Sequence, residues 1–135
     1  MTNNSMTVTF PGGKRVNAEY NGFEVATDQS PEHGGDGSEP EPFDLFLASL
    51  ATCAGIYVLS FCQNRDLPHQ SISLTQSWDR DEKSGLLTQV RIAISVPPEF
   101  PDKYHDALVR VANKCTVKRV MQAPPEFVVE TKVSS

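Results

Sequence analysis

Three residues in this 135-residue chain could act as soft nucleophiles or redox groups: Cys53, Cys62 and Cys115. An odd count at wide spacing is neither the even framework of a disulfide-stapled secreted domain nor the paired knuckles of a zinc site. In a reducing compartment they are expected to be free or redox-active thiols. A cytoplasmic location is expected, because Met1–Met6 holds no basic residue leading into an apolar run. Cys115 falls at the predicted start of a helix, between Lys114, Lys118 and Arg119, where free N–H groups and cations favour a thiolate. The stretch from Lys103 to Arg119 carries five basic residues and one acidic one, Asp106. Cys53 lies in an apolar run and, on periodicity alone, reads first as a small hydrophobe that fills space. Cys62, nine residues on, falls about 180° around a helix from Cys53, so the two cannot bond within one intact helix.

Other chemistries find little support. His33, His69 and His105 are isolated, and the adjacent His105 and Asp106 point to different helix faces, so no metal site is expected. Gly34-Gly35-Asp36-Gly37 sits among carboxylates that would repel phosphate, and no Ser lies in a G-x-S-x-G elbow. Twelve Lys plus Arg against 17 Asp plus Glu give a net charge of −5, which argues against nucleic acid and anionic membranes as partners.

The elements that must position these thiols can be read from turn chemistry and apolar spacing. With 39% apolar and 21% charged residues, the chain is expected to form one domain, residues 1–135. From Thr7 to Thr27, short apolar runs are separated by Pro11-Gly12-Gly13-Lys14 and by Asn21-Gly22, which predicts a three-stranded antiparallel meander. Residues 28–42 read as a loop, mobile at its centre; residues 24–44 hold seven acidic residues and no Lys or Arg. Pro42 then opens a helix that is apolar on every face from Phe43 to Cys62 and stops before Pro68. Its length alone would permit a membrane span, but Asp44, Ser49, Thr52 and Ser60 dilute it and no basic or aromatic belt flanks it. The expectation is a helix buried all round. One 135-residue chain can hardly enclose five turns of helix, so a homodimer is expected.

After Pro68, Ile72–Trp78 and Leu87–Val96 alternate around Asp81-Glu82-Lys83-Ser84-Gly85, predicting a second hairpin. Pro101-Asp102 starts a helix whose stripe is Tyr104, Ala107, Leu108, Val111 and Ala112. A short helix over Cys115–Met121 and a last strand over Glu126–Val133 complete an α+β chain with the order βββ-α-ββ-α-α-β.

Taken together, Gly34-Gly35-Asp36-Gly37, Pro42-Phe-Asp-Leu-Phe-Leu-Ala-Ser-Leu-Ala-Thr-Cys53 and Ala112-Asn-Lys-Cys115-Thr-Val-Lys resemble the OsmC/Ohr superfamily of osmotically inducible and organic hydroperoxide resistance proteins. The likeness runs from about Val8 to Val129 and looks closer to the YhfA-like branch than to the best-characterised peroxidases. It implies an intertwined α+β homodimer with a long central helix and an active site at each end of the interface. It further implies that Cys53 attacks an organic hydroperoxide and that Cys115 resolves the product as a disulfide, which a dithiol reductant then opens. Lys14 or Arg15 would be the thiolate's cation, and Phe43, Phe46 and Tyr57 would line the substrate pocket. No metal or organic cofactor is implied. The chain departs from the pattern at Phe43, where the best peroxidases of the family carry Glu, and at Thr116, where many members carry proline.

Two functions follow as expectations. The first is a thiol-dependent peroxidase acting on organic hydroperoxides. The second is a weakly catalytic or non-catalytic protein that holds a small hydrophobic molecule in the interface pocket. A protein-disulfide exchanger is a third possibility, but no Cys-x-x-Cys supports it.

Overall fold

The computed structural model describes residues 4–134, which fall into two compact units, one ending at Ala48 and one beginning at Ser49.

In the first unit β1 (Thr7–Gly12), β2 (Arg15–Tyr20) and β3 (Phe23–Thr27) form an antiparallel sheet in that order. Asn21 (φ 49°) and Gly22 (φ 80°) both take the left-handed conformation that the two-residue hairpin demands, which pairs Tyr20 with Phe23. β1 pairs with β2 from Thr7 opposite Glu19, with an irregularity between Thr9 and Gly12.

The loop after β3 is not slack, as its composition led us to expect, because it wraps a buried carboxylate. Asp28 is only 1% exposed. It accepts hydrogen bonds from the Ser38 hydroxyl at 2.7 Å, the Ser38 N–H at 3.0 Å, the Gln29 N–H at 2.7 Å and the Asp36 N–H at 3.3 Å. Its own N–H donates to the carbonyl of Pro40 at 3.1 Å. The chain passes so close to itself here that a Cβ on Gly35 would stand 2.1 Å from the carbonyl oxygen of Gln29. A short 3-10 turn, Pro31–His33, lies within the loop.

Glu41 joins this loop to the helix α1 (Pro42–Gln63). Its carboxylate accepts from the Ser30 N–H at 2.9 Å and pairs with His33. Its N–H donates back to Asp44 at 2.9 Å, the return half of a capping box, with Pro42 in the first helical position where no N–H is missed. The helix ends in a Schellman motif: Asp66 takes φ 51°, and the Leu67 N–H reaches back to the carbonyl of Cys62 at 2.9 Å. Pro68 then prevents continuation.

The second unit begins within α1 and adds β4 (Ser73–Arg80), β5 (Leu87–Ser95), a 3-10 turn (Asp102–Tyr104), α2 (His105–Ala112) and α3 (Thr116–Gln122). β4 and β5 form a two-stranded antiparallel sheet, closed by a turn in which Asp81 and Leu86 share a hydrogen bond of 2.9 Å and Gly85 takes φ 73°. Leu74 faces Ile94 across the ladder, and alternation puts Val90, Ile92 and Ile94 on one side. Leu74 and Ile94 pack against Val58, Phe61 and Cys62 of α1, Phe100, and Leu108 of α2, which form the unit's core. The stripe read from sequence, Tyr104, Ala107, Leu108, Val111 and Ala112, lies in this core, with Tyr104 edge-on to Phe61 at 5.7 Å.

Two sequence expectations meet the single chain differently. α1 is long and apolar enough to cross a membrane by length and composition, and it was expected to be buried all round. Within one chain it buries one side, Leu50, Ala54, Val58 and Phe61 at steps of three and four, while Ile56 remains 53% exposed. The other flank is the one that was expected to meet a second copy. The expected last strand over Glu126–Val133 carries no strand pairing, and Phe127 and Val129 are 82% and 96% exposed. A strand needs a neighbouring ladder for its N–H and C=O groups, and among the described residues no strand pairs with this segment.

Two predictions follow from the loop. Hydrogen bonds, first among them that from the Ser38 hydroxyl, hold the Asp28 pKa down at about 2. Its contribution to stability is therefore complete above the unfolded carboxylate value of about 4 and is lost as pH falls through 2. Acid unfolding followed by circular dichroism should show Asp28→Asn less stable than the native chain at pH 6, with the gap closing below pH 3. Gly35→Ala should destabilise by about 1–3 kcal/mol, read as a lower urea midpoint, because a backbone carbonyl occupies the methyl's place.

Candidate active site

A sulfur on α1 meets a sulfur at the head of α3. Cys53 and Cys115 are both free thiols, and their side chains are hydrogen-bonded to each other. The rotation of α1 explains why Cys53 is the one presented. Cys62 is fully buried in the core, and nine residues earlier the helix turns its opposite flank outward. Cys53 is accordingly half-buried. Cys115 caps α3 with its carbonyl accepting from the Arg119 N–H at 3.1 Å, and it is 2% exposed.

The surroundings split the two thiols. Burial raises the pKa of Cys53, but that effect is outweighed by a hydrogen bond from Cys115, by the N–H groups of Val117 and Thr116 that donate to its sulfur, and by the Arg119 charge, so the net shift is downward. Cys115 moves the other way, because burial and its hydrogen bond to Cys53 outweigh the N–H groups of Lys118 and Val117. The two thiols are thus pulled apart, with the charged form favoured at Cys53 and the neutral form at Cys115. The sequence placed the basic context around Cys115; the fold delivers part of it to Cys53. Burial pushes the Cys62 thiol up, as suits a packing residue.

Tyr57 stands one helical turn beyond Cys53, on the same flank of α1. Its hydroxyl meets Thr116 Oγ1 at 2.9 Å, and that oxygen accepts from Arg119 Nη2 at 3.2 Å. Neither Thr116 nor Arg119 stood among the expected site residues, although Arg119 was visible in the basic run. The adjacent Lys118 is turned to Asn113 Oδ1 at 2.8 Å.

Lys14, Arg15, Phe43 and Phe46 belong to the first unit. Arg15 forms an ion pair with Asp36 at 2.9 Å and donates to Ser38 Oγ at 3.2 Å. The Lys14 side chain runs near Gly34, and the rings of Phe43 and Phe46 lie tilted by 34° with centroids 5.3 Å apart. The structure thus brings Cys53, Cys115 and Tyr57 into one cluster within the second unit.

Beside the cluster lies a cavity of about 410 Å³, lined by Val90, Ile92, Ile94, Leu108, Met121 and Cys115, with Lys118 and His105 among its polar groups. Its size and apolar walls suit a small organic molecule. Among the described residues, no group of three or more His, Cys, Asp or Glu side chains is arranged to hold a metal.

The family model described as OsmC-like protein matches residues 35–130, a range that includes parts of both units. Comparison with curated proteins finds no match. Among solved structures, the fold is similar to that of a protein from Psychrobacter arcticus provisionally named for osmotic stress induction and detoxification response. That likeness has a TM-score of 0.74 at 22% identity over 88% of each chain. An OsmC-like protein from Mycoplasma pneumoniae gives 0.70 at 14% identity, over 89% of this chain and 87% of its own. A protein from Vibrio cholerae, provisionally named for organic hydroperoxide resistance and holding captopril in one of its active sites, gives 0.58 at 22% identity, over 92% and 88%. At these identities the likeness speaks for the fold.

The split between the thiols has a direct readout. With limiting iodoacetamide at pH 7, peptide mass spectrometry should find Cys53 modified well before Cys115 and Cys62. The order should persist as pH falls, because Cys53 keeps thiolate character to lower pH than an ordinary cysteine.

Proposed function

The chain belongs to the OsmC-like protein family, and we propose that it is a thiol-dependent peroxidase that reduces organic hydroperoxides through Cys53 and Cys115. The observation that carries this reading is the meeting of the Cys53 side chain with Cys115 at the head of α3, in surroundings that lower the pKa of Cys53 and raise that of Cys115, which supports a nucleophile at Cys53 and a neutral thiol within reach of it.

In the first step the Cys53 thiolate attacks the terminal oxygen of the hydroperoxide and the O–O bond breaks. The alkoxide leaves and takes a proton to become the alcohol, while Cys53 is oxidised to a sulfenic acid. In the second step the Cys115 sulfur attacks that of Cys53. The S–S bond forms, the S–O bond breaks, and the hydroxyl departs as water with the Cys115 proton. A small dithiol then reduces the disulfide by thiol exchange. Arg119 and the N–H groups of Thr116 and Val117, which favour the thiolate, would also favour the leaving alkoxide. No metal or organic cofactor enters this scheme.

A second reading is favoured by the cavity: a weakly catalytic or non-catalytic protein that holds a small hydrophobic molecule, with the thiols as sensors. Both readings place the protein as a homodimer in the cytoplasm. The exposure of Phe10, Phe23, Ile56 and Phe127 in one chain supports a second copy as the cover.

One experiment separates the readings. Reduced protein treated with one equivalent of cumene hydroperoxide should form a Cys53–Cys115 disulfide within seconds. Cys53→Ser should abolish peroxide consumption, Cys115→Ser should leave a sulfenic acid that dimedone traps on Cys53, and Cys62→Ala should turn over normally. Unchanged consumption by Cys53→Ser would sink the peroxidase reading, and three free thiols after treatment would favour the ligand-binding one.

A further inference from the structure

We propose that Thr116 is a positioning residue, whose hydroxyl, anchored by Tyr57, holds the Arg119 guanidinium where its charge acts on Cys53. The proposal rests on Cys53 being the reactive thiol of the preceding section, but it concerns how that thiol is prepared and not which oxidant it meets.

Thr116 is the one residue here bonded in three directions. Its Oγ1 lies 2.9 Å from Tyr57 Oη on α1. The same oxygen accepts from Arg119 Nη2, one turn along α3, at 3.2 Å. Its backbone N–H donates to the Cys53 sulfur. A hydroxyl oxygen can accept from a guanidinium and still exchange a second hydrogen bond with a phenol, in either direction, so both contacts coexist.

Arg119 needs such a hold because it is exposed, and an exposed arginine spreads its charge over many rotamers. Among the described residues it has no carboxylate within ion-pair distance, so its charge is not neutralised. Lys118, the neighbouring cation, is drawn to Asn113 instead. The titratable groups that bear on Cys53 are therefore Cys115, at the head of α3, and Arg119 on α3. The hydroxyl of Thr116 ties Tyr57 and Arg119 together, one turn from Cys53 along α1. Valine has nearly the same shape and would leave the N–H contact in place while releasing the guanidinium.

The test reads the thiolate directly and needs no peroxide: the pH dependence of Cys53 alkylation by iodoacetamide, followed by peptide mass spectrometry on the full chain. Thr116→Val should raise the midpoint and slow alkylation at pH 7 by about threefold to tenfold, since one pKa unit is tenfold in thiolate. Thr116→Ser should restore the native profile, and Tyr57→Phe should shift it in the same direction as valine by less. Arg119→Gln should shift it at least as far as Thr116→Val, and the double variant should go no further than Arg119→Gln alone. An unchanged midpoint in Thr116→Val, or an equal further shift when it is added to Arg119→Gln, would overturn the proposal. Should the protein prove inert to hydroperoxides, the alkylation profiles would still stand or fall by themselves.

Discussion

The hydrogen bond between the sulfurs of Cys53 and Cys115 is the interaction on which the rest of the site depends. Two isolated thiols would titrate near the same pH and be equally sluggish. Once Cys115 donates to Cys53 the pair becomes unequal, because the donor is kept neutral while the acceptor gains a partner for its charge. Everything else in the second unit serves to keep those sulfurs in register. Cys62 and Phe61 lock the rotation of α1 by sitting in the core against Phe100 and Leu108. A turn of one residue, about 100°, would carry Cys53 away from the head of α3.

The local devices at the ends of α1 set where that register begins and stops. Glu41, Pro42 and Asp44 start the helix with its orphan groups occupied, and Asp66 with Leu67 ends it one turn beyond the core residues. The helix entry is tied in turn to the Asp28 loop, since Glu41 bonds to Ser30 and His33 of that loop. The carboxylates that make residues 24–44 look like a solvated, repelling stretch are partly consumed there, Asp28 by four donors and Glu41 by two. An acidic composition thus hides a packed loop, because short-range hydrogen bonds satisfy the charge more cheaply than water does once the chain has folded back.

Much of the fold was legible in the sequence. Asn21-Gly22, Pro42, Pro68, Pro97-Pro98 and Gly85 mark breaks that depend only on local backbone geometry, and the elements fall where those residues allow. The stripe from Tyr104 to Ala112 is likewise local, since residues three and four apart share a helix face whatever they pack against. The last strand was not legible. Apolar alternation over Glu126–Val133 expresses a wish to pair, and pairing belongs to whichever ladder lies alongside. The apolar perimeter of α1 was legible only in part, because hydrophobicity on all sides says that burial is favourable without saying which neighbour supplies it.

For the site, the sequence by itself determined which groups could do chemistry: two thiols on different elements, a third on the opposite face of the first helix, and a run of cations near Cys115. It also determined that Cys53 and Cys62 point apart, because 3.6 residues per turn is a property of the backbone. Only the tertiary structure decided on which thiol the neighbouring donors and charge act. The Thr116 and Val117 N–H groups and the Arg119 charge lie near Cys115 in sequence, yet they act across space on Cys53. The physical reason is that electrostatic and hydrogen-bonding effects follow distance and direction in the folded chain. Neighbours along the backbone are fixed by covalent order, whereas neighbours across an interface exist only once the helices have packed.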